Sequence, residues 1–380
     1  MKNNSRILIS GAGVAGLTTA IWLGRNGFRP TIVERAPDVR ADGYIISLSH
    51  RSYRFAERLG LLPEIQERYA GVEASSYHRN NATLLKFDYG SLFSGVDVVQ
   101  IMRDDLQDIL YKHAQALADF RFDTSITAIE NIDHACDVTL SDGSQETFDL
   151  VIGADGLHSN VRHLTFKQDE VKTRHLNLCA AAYRLPNIRG LHKKFETHME
   201  RDRYMVNFTT PRDDIAAVFV WSTPVQQAPE PGARYQFLLD AFEGCNATIK
   251  SVLDHCPSDG GFYIDPLIQV LMPSWYKQSV VLVGDAAHSM TLISGQGATM
   301  AFTGACVLGE KLVNHEKTDA FSAYQQDLKM IVSDVQDRTR RISRWYVPCS
   351  WWRQSARDLG MALFPTRIFE SHFKSKYTRA

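Results

Sequence analysis

The chain has 380 residues, 44% of them hydrophobic and 22% charged, with a formal net charge of -1. That length holds a large core and about two domains, the composition is that of a soluble globular protein, and the near-zero charge excludes a global field that would draw in nucleic acid or an anionic membrane. The six cysteines, at positions 136, 179, 245, 256, 306 and 349, form no CxxC pair, which argues against a zinc or dithiol site and fits a reducing cytoplasm. No apolar run reaches the length of about 18 residues of a spanning helix, and the short polar start Met1–Arg6 carries no signal-peptide pattern.

In chain order, Arg6–Ser10 reads as a buried strand. A glycine-rich turn follows, then a helix over Val14–Asn26 that Gly27 stops, then a strand over Pro30–Val33. This is a βαβ-type start with a parallel strand pair. Helices are expected over His50–Leu61 and Asp104–Leu117. Short strands are expected over Arg121–Thr127, Ala135–Leu140 and Phe148–Gly153. From about 176 to 275 alternating strands dominate, including Leu178–Tyr183, Tyr204–Phe208 and Ala216–Trp221, and predict a separate sheet. Ser279–Val283 is again a continuous apolar strand, followed by helices over 296–314 and 316–345. A nucleotide-type domain interrupted by a second sheet is the simplest arrangement.

Gly11-Ala-Gly13-Val-Ala-Gly16 follows the first strand and opens the first helix. Its glycines permit a tight turn, close approach of the backbone to a pyrophosphate and close helix packing. The helix N-terminus offers free N–H groups and a positive dipole end. Glu34 ends the second strand and can accept hydrogen bonds from ribose hydroxyls. This motif alone does not separate NAD from FAD. Two later segments do: Asp155-Gly156 and Gly284-Asp285 each end a strand, and a carboxylate there can hold ribityl hydroxyls, which NAD lacks. For both aspartates the plainer alternative is a turn or N-cap role. The flexible run Ser294-Gly-Gln-Gly297 leads into the next helix, whose positive end can face an acceptor on the flavin.

The ordered trio of GxGxxG, Gly153-Ala-Asp-Gly-Leu-His-Ser-Asn-Val-Arg162 and Gly284-Asp-Ala-Ala-His288 followed by Gly295-Gln-Gly297 resembles the group A flavoprotein monooxygenases, the p-hydroxybenzoate hydroxylase-like family, over residues 6–330. The resemblance implies an α/β fold of mixed type: a Rossmann-like FAD-binding domain with a parallel sheet (1–175 and 276–340), an inserted, mostly antiparallel substrate-binding sheet (176–275) and a C-terminal helical extension (341–380). It implies bound FAD, transient NADPH or NADH, and hydroxylation of an aromatic or polyketide-like small molecule by O2 through a flavin C4a-hydroperoxide. In that family Asp285 holds the ribityl chain, the Asp155-Gly156 segment serves both FAD and NADPH, and Arg103 contacts FAD from a helix start. The expected cofactor-binding set is Gly11, Gly13, Val14, Ala15, Gly16, Glu34, Arg35, Arg103, Asp155, Gly156, Gly284, Asp285, Gly295, Gly297 and Ala298.

Three positions depart from the family pattern: Leu292 stands where a proline is usual, Thr299 where an asparagine is common, and Gly304-Ala305 where Asp-Ala is common. Gly304-Ala305 and the long helical C-terminus also resemble the tetracycline-inactivating branch. Rival readings are a non-hydroxylating FAD enzyme (a reductase or cyclase), a flavin-free NAD dehydrogenase and a non-catalytic flavin- or ligand-binding protein. No metal site and no protein-borne nucleophile is signalled; nothing places the His288 ring toward a pocket. The substrate pocket is expected at the domain junction, lined by Tyr44, Ile46, Tyr183, Met205, Phe219 and Leu292, with Leu48, Phe208 and Trp221 as further candidates. The aromatic tail Arg344–Arg353 and the apolar stretch Leu359–Phe373 read as a packed helix, a lid over the entrance or a membrane-surface helix.

Overall fold

The computed structural model describes residues 4–39, 44–80, 82–89, 93 and 95–363. The elements in chain order begin with β1 (Ile7–Ser10), α1 (Val14–Arg25), β2 (Thr31–Val33), β3 (Ile45–Ser49), α2 (Arg51–Arg58) and α3 (Leu62–Glu67). Next come β4 (Ala74–Arg79), β5 (Ala82–Asp88), β6 (Val98–Met102), α4 (Arg103–Ala114), β7 (Asp119–Arg121), β8 (Ile126–Ile132), β9 (Ala135–Leu140), β10 (Gln145–Phe148), β11 (Leu150–Gly153) and α5 (Asn160–Thr165). They are followed by β12 (Lys172–Pro186), β13 (Lys194–Met199), β14 (Arg203–Thr209), β15 (Asp214–Ser222), α6 (Pro231–Ala241), α7 (Ala247–Leu253) and β16 (Tyr263–Leu271). The last elements are β17 (Tyr276–Lys277), β18 (Val280–Leu282), α8 (Asp285–His288), α9 (Gly297–Asn314), α10 (Lys317–Tyr346) and α11 (Trp351–Leu363).

The continuous apolar runs at Ile7–Ser10, Leu150–Gly153 and Val280–Leu282 become fully buried strands, as strands covered on both faces must. They lie side by side in a six-stranded sheet of order β17-β18-β11-β1-β2-β7. β1 pairs in parallel with β11 and β2, and β11 in parallel with β18. Ser10 stands opposite Gly153, and Gly153 opposite Leu282. Three motifs spread over more than half of the sequence therefore emerge from the carboxyl ends of three adjacent strands. α1 and α9 cover this sheet and approach closely: a Cβ on Gly309 would lie 2.6 Å from the Trp22 ring.

A seven-stranded sheet, of order β16-β12-β15-β14-β13-β4-β5, faces the first unit. It is antiparallel except for the parallel pair β13 and β4. Its outer strands β4 and β5 come from residues 74–88, within the stretch 1–175 expected to belong to the nucleotide domain. A limit at 176 therefore does not follow the sheet. Within the stretch 176–275, Pro231–Ala241 and Ala247–Leu253 are helices rather than strands. α6 opens on Pro231, and the Asn246 side chain caps α7 by accepting from the N–H groups of Thr248 and Ile249 at 3.0 and 3.1 Å. The expected strand Arg121–Thr127 is also divided: Arg121 ends β7 in the parallel sheet, while Ile126 starts β8 in a three-stranded antiparallel sheet of order β10-β9-β8. Of the C-terminal extension, residues up to Leu363 are helical in α10 and α11, and 364–380 lie outside the described residues.

Candidate active site

The turn after β1 is built by steric necessity. A Cβ on Gly16 would stand 1.9 Å from the Gly11 carbonyl oxygen, and one on Gly11, whose φ is +104°, 2.6 Å from that of Ala154. At Gly13 no protein atom comes within 4 Å of the Cβ position. The outer glycines are thus required by the backbone itself, while Gly13 leaves its face open to a pyrophosphate. Val14 and Ala15 begin α1, and no side chain caps its first turn. The Glu34 carboxylate accepts from the N–H groups of Ala12 and Ala36 at 2.8 and 2.9 Å, which ties the end of β2 to the glycine turn. Arg35 is exposed. One residue the motifs did not reveal also grips this turn: buried Gln107 of α4 donates to the Ala12 carbonyl at 3.0 Å. A polar residue on the buried face of a helix gives no pattern that singles it out.

Ser159 caps α5, its hydroxyl accepting from the Arg162 N–H at 3.0 Å, and Asp155 braces that turn. Its carboxylate accepts from the Ser159 hydroxyl at 2.5 Å and from the N–H groups of Asn160 and Val161 at 2.8 and 3.0 Å. These bonds place Asp155 within the turn before α5. Gly156 follows with φ of +81° and open space around it. The turn is joined to the next motif by Arg162, which donates to the carbonyls of Leu157 and Ala286 at 2.6 and 2.9 Å.

Gly284 has φ of +64°, and its Cβ position is 3.0 Å from Ala15 Cβ, so the α1 start and the α8 start touch. Asp285 heads α8 and is half-buried. Burial pushes its carboxyl pKa up, opposed by the positive charges of Arg103 and Arg162. Arg103 opens α4, and its N–H donates to the Tyr44 carbonyl at 3.0 Å. Burial likewise raises the phenols of Tyr44 and Tyr263, with Arg103 and Asp285 acting on both in opposite directions. The two rings lie 6.4 Å apart. Arg103, Arg162, Asp285, Tyr44 and Tyr263 therefore form one electrostatic group at the strand ends.

Beyond α8 the chain turns through Thr291 (φ +67°) and Gly295 (φ +61°). Between them the Ser294 hydroxyl donates to the Thr291 carbonyl at 2.8 Å and accepts from the Gln296 N–H at 3.0 Å. This 3-10 turn, Leu292–Ser294, packs Leu292 and Ile293 against the second sheet and leads into α9 at Gly297 and Ala298. No side chain caps α9 and no acid occupies its first turn, so its amides suit an acceptor. Thr299, at the position where asparagine is common, donates to the Ser47 carbonyl at 2.5 Å and thereby pins α9 to β3. His288 points away from this site. It is buried against Trp275 at 4.7 Å, and desolvation lowers its pKa to about 4, so it is neutral at physiological pH.

The second sheet separates the expected substrate-lining residues by face. Tyr183, Met205, Phe219 and Trp221 lie in one cluster with Leu238, Phe242, Ile249 and Val252, under α6 and α7, and the Tyr183 hydroxyl donates to the Val252 carbonyl at 2.9 Å. They are core on the far face, and their assignment to the pocket is corrected. The face toward the nucleotide unit carries Leu178, Ala180, Tyr204, Phe208, Ala216 and Val218, with Tyr44, Leu292 and Ile293 packed against it. Ile46 and Leu48 turn into the core of the nucleotide unit instead. Along a strand, neighbours in sequence point to opposite faces; alternation reveals two faces and is silent about which one meets the site.

This geometry defines a nucleotide-binding α/β unit whose strand ends open toward an apolar sheet. The sequence profile of the FAD binding domain family matches residues 4–339. A flavin-dependent monooxygenase of Legionella longbeachae is 32% identical over 343 residues, covering 88% of each chain. The crystal structure of tetracycline destructase Tet(55) superposes with a TM-score of 0.85 at 26% identity, covering 100% of this chain and 98% of that one. Klebsiella pneumoniae HpxO, solved with FAD and uric acid, shares the fold with a TM-score of 0.84 at 18% identity, over 99% of this chain and 97% of its own. The chain belongs to the FAD binding domain family and is an FAD-dependent monooxygenase of the group A type.

Proposed function

We propose that the protein transfers one oxygen atom from O2 to an electron-rich carbon of an aromatic or polyketide-like small molecule, with NADPH or NADH as reductant. The observation that carries this reading is the apolar sheet face of Tyr204, Phe208 and Val218, set against Leu292 and Ile293 at the approach to α9. A flat apolar substrate buries most of its surface in such a junction. Bound FAD supplies the hydride and oxygen-transfer chemistry. In this reading Gly13 and the α1 amides hold the pyrophosphate, Glu34 accepts the ribose hydroxyls, Asp285 accepts the ribityl hydroxyls, and the uncapped amides of α9 stabilise negative charge on the ring. Arg103 and Arg162 oppose the burial that raises the Asp285 carboxyl pKa. Tyr44, Leu292 and Ile293 keep water from the reacting face. Only one GxGxxG is present, so the nicotinamide nucleotide binds transiently beside the Asp155-Gly156 turn.

The test is consumption of NADPH, NADH and O2 by FAD-loaded protein across a panel of phenols and a tetracycline, with mass spectrometry for a gain of one oxygen. Coupled consumption and that mass gain support the proposal; substrate-independent oxidation with no oxygenated product favours a non-hydroxylating flavin enzyme. Inactivation of a tetracycline is the second reading, favoured by the likeness to the destructase along the whole chain, C-terminal helices included.

A further inference from the structure

α11 is oriented inside out. Its buried residues are Gln354, Arg357, Asp358 and Met361, whose spacing defines one helix face. Trp352, Leu359 and Leu363 share the opposite face, exposed by 54%, 59% and 71%, and Trp351 in the first turn is 71% exposed. Trp345, at the end of α10, is 47% exposed.

The buried polar face explains why the helix sits this way. Arg357 has no solvent exposure; it pairs with Asp358 at 2.8 Å and donates to the Tyr346 carbonyl at 3.0 Å. Arg79 of β4 also pairs with Asp358. Breaking such buried pairs would strand charges away from water. The helix is therefore locked with its apolar side outward. Isolated exposed apolar residues are ordinary, but a helix face of one tryptophan and two leucines, with a second tryptophan exposed in the first turn of the same helix, marks an interaction surface.

The charge distribution indicates the partner. Residues 338–380 contain ten Lys and Arg and two Asp and Glu, a net of +8, so the remaining chain carries -9 to give the total of -1. The near-neutral whole thus hides a strongly basic end. Arg340, Arg341, Arg344 and Arg353 are exposed on α10 and α11, Arg340 pairing with Asp337 at 3.9 Å. A second copy would set one basic surface against another. An anionic bilayer complements both the charge and the tryptophans, which favour the boundary between headgroups and acyl chains.

We infer that α11 and the end of α10 form a peripheral membrane-docking surface, with Trp345, Trp351, Trp352 and Leu359 entering the interface of an anionic bilayer. No described helix is long and apolar enough to cross a membrane, so the contact is interfacial. The inner side of the same helix places Met361 in the apolar cluster against which Leu292 packs, so the docked surface adjoins the candidate substrate face.

The experiment is co-sedimentation of the full-length, FAD-loaded protein with phosphatidylcholine vesicles, with and without phosphatidylglycerol. The expected result is binding that requires phosphatidylglycerol, weakens as salt screens the charge, and falls about tenfold or more in a Trp351→Ser/Trp352→Ser/Leu359→Ser variant of unchanged flavin content. Independently of any variant, brominated lipid should quench part of the wild-type tryptophan emission and spare the rest, since Trp22, Trp221 and Trp275 are buried. Absence of pelleting at low salt, equal binding by the variant, or a solution dimer that the variant dissociates and that ignores vesicles would each overturn the inference.

Discussion

The guanidinium of Arg162 donates to the Ala286 carbonyl at 2.9 Å and to the Leu157 carbonyl at 2.6 Å, so one side chain fastens the turn after β11 to the turn after β18. Both turns end strands of the parallel sheet, and Asp285 adjoins the second. Burial lowers the Arg162 pKa, while Asp155 and Asp285 act to restore its charge.

Replacing Arg162 with Ala removes two charge-assisted hydrogen bonds from a partly buried position, each worth about 1.5–3 kcal/mol. FAD affinity should fall by about tenfold or more and the melting temperature should drop. Arg162→Lys should not restore either, because an ammonium cannot span both carbonyls as the planar guanidinium does. Flavin retention on gel filtration and thermal denaturation measure the two effects.

Gly13 and Gly16 should fail differently. Gly16→Ala drives a methyl into the Gly11 carbonyl and should reduce the yield of folded protein. Gly13→Val fills space that no protein atom occupies, so far-ultraviolet circular dichroism should be retained while the visible flavin absorbance of the purified protein is lost.

The two faces of the second sheet give a paired prediction. Phe219→Ala should destabilise by about 3–5 kcal/mol and leave KM for any identified substrate unchanged, because the ring is packed under α6 and α7. Phe208→Ser and Leu292→Ser should raise KM, with a smaller loss of stability for half-exposed Leu292. Denaturant melts beside steady-state kinetics separate the classes, and a KM effect from Phe219→Ala would contradict the assignment of faces.

His288 should make the protein acid-sensitive. Its pKa is lowered from 6.5 to about 4 by burial, so the unfolded chain binds the proton more tightly than the folded one. Above pH 6.5 the group costs nothing by this linkage. As pH falls from 6.5 toward 4 it destabilises progressively, by an amount on the order of 3 kcal/mol. His288→Leu should flatten the stability curve in that window without lowering stability at pH 7.5, and chemical denaturation at a series of pH values checks it.

Much of the nucleotide unit was legible in the residues. Gly27 at the end of α1, the continuous apolar runs of β1, β11 and β18, and the glycines of the first turn each follow from local rules. α6 and α7 lie in the stretch 176–275 where alternating strands are expected to dominate, although Pro231 and Asn246 are residues that suit a helix start. The sequence leaves Asp155 open between cofactor contact and a turn or N-cap role; its three bonds brace the turn that Ser159 caps. Gln107 had no local signature, because its partner is a carbonyl 95 positions away in the chain.

The amino-acid sequence by itself determined the chemistry available: one phosphate cradle, two strand-end aspartates in order, and a basic, aromatic C-terminal end. These are local properties of spacing and residue type. Only the tertiary structure decided that β1, β11 and β18 lie in register with their motifs on one edge, that Phe208 rather than Phe219 lies on the sheet face packed by Leu292 and Ile293, and that α11 turns its tryptophans outward. Each depends on which surfaces meet, and that is settled by burial and by polar contacts between residues far apart in the chain, such as the Arg79–Asp358 ion pair and the Arg162 hydrogen bond to the Ala286 carbonyl.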